Sequence, residues 1–188
     1  MGPSARTRQA CPLPATDKIK KSRSRSNLPA RASDNDKRRL DTAAGPERIT
    51  LLLERAHYKG WEKHKGNPAA FGFPPWTKRR GDETLCDDHS GFTPDAMQSI
   101  PRLLRRGITA GLIGPGDRIL WTVGDDGWIF EGRVTNPEQS EYHGYPVRPG
   151  EAVATKVYQR YALWAQTHGD DADRLAATRC RELYGFKS

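Results

Sequence analysis

The stretch 118–134 limits the fold more than any other part of the chain. RILWTV alternates, with Ile119, Trp121 and Val123 on one face. The tetrapeptide Gly124-Asp125-Asp126-Gly127 follows. WIFEGRV then returns, with Trp128, Phe130 and Val134 on one face and Glu131 and Arg133 on the other. Period-two apolar alternation on both sides of a Gly/Asp turn predicts a β-hairpin. Asn136-Pro137 turns the chain again, and YHGYPV at 142–147 is expected to add a third, short strand. Two or three strands are not stable alone in water, so helices before and after them must cover one face.

Those helices are readable. Pro46 suits a first helical turn. Ile49, Leu52, Leu53 and Ala56 follow at helical spacing, predicting a helix over 46–59 that ends at Gly60. Thr93-Pro94-Asp95 is a helix start. Met97, Ile100 and Leu104 share a face of that helix. Arg102, Arg105 and Arg106 fall mostly on the other side, Pro101 splits or kinks the stretch, and Gly107 closes it. Val153, Val157, Tyr161 and Trp164 form a stripe over 150–168. Asp170 caps a last helix with Ala172, Leu175, Ala176, Cys180 and Leu183 inward and Gly185 at its end. The expected class is α+β: a small antiparallel sheet, made of the hairpin 118–134 and a third strand at 142–147, flanked by helices.

Charge divides the chain differently. Residues 1–45 carry 11 Lys/Arg against 4 Asp/Glu, residues 55–80 carry 7 against 1, and residues 81–188 carry 12 against 16. The first stretch is poor in apolar residues and rich in Ser, Pro, Arg and Lys, which predicts a disordered basic tail over 1–45 ahead of a single domain over 46–188. No run is long and apolar enough to span a membrane, and none resembles a secretory signal. Three scattered cysteines without such a signal argue against a disulfide framework and for a reducing, cytoplasmic setting. Cys180, on the inner face of the last helix, is expected to be a buried thiol.

Segregated positive charge favours polyanions, nucleic acid first and an anionic membrane surface second. Trp61, Phe71, Phe73 and Trp76 are interleaved with Lys59, Lys63, Lys65, Lys78, Arg79 and Arg80. Aromatics stack on bases while basic groups track phosphates. With Arg102, Arg105 and Arg106, this segment is the expected folded contact surface.

Two other sets could carry chemistry. His57, His64, Cys86 and His89 are donor types that zinc prefers, but their spacing fits no standard finger. No cofactor is therefore expected, with zinc on these four residues as the alternative. The second set lies in Glu141-Tyr142-His143-Gly144-Tyr145-Pro146. His143 could act as general acid or base, oriented by Tyr145, if the sheet brings Glu131 and Arg133 alongside. Arg133 would face phosphate charge. In chemistry this set is similar to that of small bacterial ribonuclease toxins.

The stretch 103–134, LLRRGITAGLIGPGDRILWTVGDDGWIFEGRV, resembles the start of the domain associated with restriction enzymes and adenine methylases. Gly111, Leu112, Ile113, Pro115, Gly116 and Asp117, then Phe130, Gly132 and Val134, carry the resemblance. Tyr145-Pro146, Ala152 and Ala154 stand where that family has its next strand and small helix. The family's closing Asn-Gly-Trp element does not occur here. The resemblance implies a small DNA-contacting module and transfers no catalytic residue.

The function expected from the sequence is therefore non-catalytic nucleic-acid binding, with DNA as the first choice. A metal-independent ribonuclease or toxin-type effector using His143 is the alternative. A protein–protein adaptor, docking a partner on the aromatic segment, is a second.

Overall fold

A computed structural model describes residues 38–42, 44–60, 65–75, 85, 87 and 93–187. Helix α1, Pro46–Arg55, starts at the proline and stops earlier than its periodicity predicts. Ala56 is extended and closes the helix with an N–H bond to the Leu52 carbonyl. The chain then passes directly into β1, His57–Tyr58.

Strand β2, Ile119–Val123, pairs antiparallel with β3, Ile129–Asn136, and β3 pairs antiparallel with β4, Glu141–Pro146. This is the predicted meander. Strand β1 joins it in parallel, His57 opposite Glu141 and Tyr58 opposite Tyr142. The order is β1-β4-β3-β2, so the sheet is four-stranded and mixed, not small and antiparallel. A two-residue strand shows no alternation, so periodicity could not find it. It is held by backbone bonds from His57 N–H to the Ser140 carbonyl and from Lys59 N–H to the Tyr142 carbonyl.

Helices cover both faces, not one. Against one face lie α1 and α2, Ile100–Thr109, with Leu52, Ile108, Ile113, Leu120 and Tyr142 in a shared core. Against the other lie α3, Ala152–Thr167, and α4, Asp171–Tyr184. There Ile119, Trp121, Val123 and Ile129 meet Val157, Tyr161, Ala176 and Cys180. Strand β2 is buried along its whole length. Its one polar side chain, Thr122, donates its hydroxyl to the Leu103 carbonyl at 2.6 Å, so both faces can leave water without an unmet hydrogen bond.

Pro101 sits in the first turn of α2 and starts that helix; residues Asp95–Ser99 before it form a 3-10 turn. Gly107 lies inside α2 and does not end it. A Cβ there would fall 2.0 Å from the Trp121 carbonyl oxygen, so α2 presses bare backbone onto β2.

Helix α4 begins with a capping box. Asp170 accepts from Asp173 N–H at 2.9 Å, and Asp173 accepts from Asp170 N–H at 3.2 Å. Its buried line is Asp173, Ala176, Ala177 and Cys180, while Leu175, predicted inward, is 50 % exposed. The shift follows from Asp173 turning in to pair with Arg106 at 2.7 Å. Cys180 is buried, and burial pushes its thiol up to about 12. At the hairpin tip, Gly127 has φ +87, and a Cβ there would meet the Arg179 backbone at 2.6 Å.

Residues 38–42, ahead of the predicted boundary at 46, run along the fold as a strap. Asp41 N–H bonds to the Ile113 carbonyl, and Leu40 packs against the α3/α4 core. Arg48 ties Asp41 to Asp117, at 2.7 Å each. Among the described residues no helix is long and apolar enough to cross a membrane.

Candidate functional site

Register builds the site. On paired antiparallel strands, directly opposite residues share a face. Glu131 stands opposite Tyr145 and Arg133 opposite His143, so these four predicted residues gather on the α3 side of β3 and β4.

Glu131 is fully buried. One carboxylate oxygen accepts from Arg133 Nε at 2.8 Å and from the Tyr145 hydroxyl; the other accepts from Trp121 Nε1 at 3.0 Å and from Arg38 Nε. A carboxylate offers about four lone-pair directions, and all are engaged. Burial alone would raise the Glu131 pKa. The Arg38 charge and the hydrogen bonds from Tyr145, Arg38 and Arg133 outweigh it and hold the carboxyl below its ordinary value of 4.5. The Tyr145 hydroxyl shifts upward, through burial first and then the Glu131 charge.

Arg38 reaches the site from the strap. It bridges Glu131 and Glu151, the residue preceding α3. Arg133 is different. Its Nε is fixed by Glu131 and its guanidinium carbon lies 5.7 Å from the centre of the Tyr145 ring, yet its side chain is 46 % exposed. Its two terminal amino groups have no partner among the described residues. His143, half-buried, stands across from it.

The arginines predicted to form the binding surface on α2 are committed elsewhere. Arg106 is buried, not outward-facing. It donates to the Val123 carbonyl at 3.0 Å and to Asp125 at 2.8 Å, and pairs with Asp173. Arg102 pairs with Asp125 at the hairpin tip, and Arg105 donates to the Leu53 carbonyl at 3.0 Å. Asp125 is held below its ordinary range, first by the hydrogen bond from Arg102. Lys59 pairs with Glu141 at 3.0 Å. Lys65 is buried, with its ammonium 4.5 Å from the centre of the Phe71 ring. Trp61, Lys63, Trp76, Lys78, Arg79 and Arg80 lie outside the described residues.

Of the predicted zinc ligands, His57 lies near Glu141, Nε2 to oxygen 3.7 Å. His64, Cys86 and His89 lie outside the described residues. Among the described residues no group of three His, Cys, Asp or Glu side chains is placed to hold a metal ion.

The strap supplied residues that sequence reasoning did not select: Arg38 and, next to it, Arg39. Its only local signal is Leu40, an apolar residue directly after seven charged or polar ones. Glu151 and Trp121 were also missed, because their roles depend on long-range packing. No family model, curated protein or solved structure matches the chain.

Proposed function

We propose that the protein binds nucleic acid without catalysis, DNA before RNA. The basic tail supplies most of the electrostatic attraction and the folded domain supplies fixed contacts to the phosphate backbone. The observation that carries this reading is the Arg133 fork. Glu131 holds its Nε and Tyr145 lies beneath it, so the side chain is ordered before any ligand arrives. Its terminal amino groups point the bidentate end of a guanidinium toward solvent, the geometry that suits phosphate oxygens. The resemblance of 103–134 to a DNA-contacting module supports DNA as the partner.

The test is fluorescence anisotropy of the whole chain with labelled duplex DNA and single-stranded RNA at two salt concentrations. Binding should weaken steeply with salt, and Arg133→Gln should reduce it roughly tenfold, the worth of a charge-assisted hydrogen bond. No binding at low salt, or binding indifferent to salt, would sink the reading.

One observation favours a second reading, metal-independent RNA cleavage: His143 stands directly opposite Arg133. There Arg133 would neutralise phosphate charge and His143 would move the proton. Glu131, with all its acceptor positions engaged, would orient Arg133 and Tyr145 and not itself act as base. Cleaved RNA in the same titration with chelator present, abolished by His143→Ala, is its signature.

A further inference from the structure

We propose that the groove between the strap and α3 is a second phosphate-backbone site, seating the same nucleic-acid strand that contacts Arg133. This rests on the proposed function and adds to it a place and a set of residues. The groove is lined by Arg39, Leu40, Lys156, Gln159, Arg160 and Leu163, and its volume is about 530 Å³. Three of these side chains are cationic, one is an amide, and none is a carboxylate.

Two details separate it from an ordinary basic surface. The first is how Arg160 is held. It donates one terminal amino group to the Asp41 and Gly111 carbonyls, at 2.6 and 3.1 Å. No carboxylate touches it among the described residues, since Asp41 gives its own carboxylate to Arg48. Burial lowers the Arg160 pKa and outweighs the pull of Asp41, the opposite of the shift in the carboxylate-paired Arg38, Arg48 and Arg106. A half-buried guanidinium fixed only by carbonyl dipoles is a cation to which an arriving anion adds the missing charge. Arg39 is exposed and, among the described residues, its side chain has no hydrogen-bond or ion-pair partner. The second detail is apolar surface beside this charge. Leu163, 63 % exposed, lies on the groove wall with Leu40, which suits the sugars and bases between phosphates. A recessed groove does not match a flat bilayer.

The strap links the groove to the Arg133 site. Arg38 is anchored at Glu131, beneath Arg133, and Arg39 lines the groove. Consecutive Cα atoms are about 3.8 Å apart, so neighbouring residues of one strap tie the two sites together.

The experiment is the same anisotropy titration on the full chain, comparing wild type with Arg39→Glu/Lys156→Glu and with the milder Arg39→Gln/Lys156→Gln. A charge-matched control, Arg55→Glu/Arg181→Glu, lies away from the groove. Circular dichroism confirms folding; the groove residues changed are exposed, and Arg160, which holds the strap, is left intact. The reversal pair should weaken binding more than tenfold. The glutamine pair should lower the slope of log affinity against log salt by about 2, one for each lost phosphate contact. The control pair should do neither. Equal loss in the reversal and control pairs would mean net charge alone, and overturns the groove. Unchanged affinity in the reversal pair overturns it too, while the wider reading stands. Wild type that binds neither DNA nor RNA removes both. Anionic vesicles serve as a competing probe: if the reversal pair loses vesicle binding but keeps nucleic-acid binding, the groove is a lipid site and the proposal fails.

Discussion

The α2 arginines and the arginines around Glu131 carry the same charge to opposite ends. On α2, Arg106 is sunk between Asp125 and Asp173, and Arg102 spends its fork on Asp125. Around Glu131, Arg38 is equally committed, but Arg133 is held by one nitrogen and left open at the other two. Each cluster thus pairs one fully committed arginine with one exposed arginine. The difference lies in the acid. Asp125 is at an exposed hairpin tip and draws Arg102 inward to the fold. Glu131 is buried beneath the sheet surface, and draws only the inner edge of Arg133.

Experiments can separate the four roles. The largest effect is expected from Glu131→Ala, which leaves Arg38 with Glu151 alone and frees Tyr145 and Trp121 at once. Breaking a buried ion pair by removing one partner destabilises by about 3 kcal/mol or more, and urea unfolding followed by tryptophan fluorescence would read it. Arg106→Ala should come next, at about 2 kcal/mol, because it leaves Asp173 buried without its cation. A smaller loss than that of Arg102→Ala would break the proposed ranking. Arg133→Ala should leave stability within about 1 kcal/mol of wild type and act on nucleic-acid affinity. Arg102→Ala, removing an exposed pair, should change stability by less than about 1 kcal/mol and affinity not at all.

Acid offers a comparison without mutation. The carboxyl of Glu131 is held below its ordinary 4.5 in the folded state. Its contribution to stability is therefore complete above that value and disappears as pH falls through the lower folded value. Unfolding midpoints measured from pH 6 downward should fall below about pH 4.5 in wild type, and Glu131→Gln should flatten that part of the profile.

Local patterns were legible and distant partnerships were not. The hairpin declared itself through alternation, and α4 through Asp170 and Gly185 at its ends. Once the meander was recognised, Glu131, Arg133, His143 and Tyr145 could be grouped by strand register alone. The strap could not, because Arg38 and Arg39 look like the rest of a basic tail, and their place depends on Glu131 some ninety residues away. Arg106 looked outward-facing because no rule of spacing announces that Asp173 will turn inward to meet it. Strand β1 is simply too short to carry a pattern. Covering both faces of β2 was foreshadowed by ILWTV, four apolar residues in five, more than a half-wet strand needs.

The backbone contact at Gly127 has a practical consequence. Hairpin tips are usual places to insert an epitope tag or a fluorescent label, since they tend to be open and tolerant. Here the tip rests on α4, with Arg179 donating to the Asp125 carbonyl at 2.7 Å and its backbone where a Gly127 Cβ would go. A peptide spliced in at 125–127 would lever the last helix off the sheet. The turn between β3 and β4, where Pro137, Glu138 and Gln139 are exposed, is the better port for a reporter.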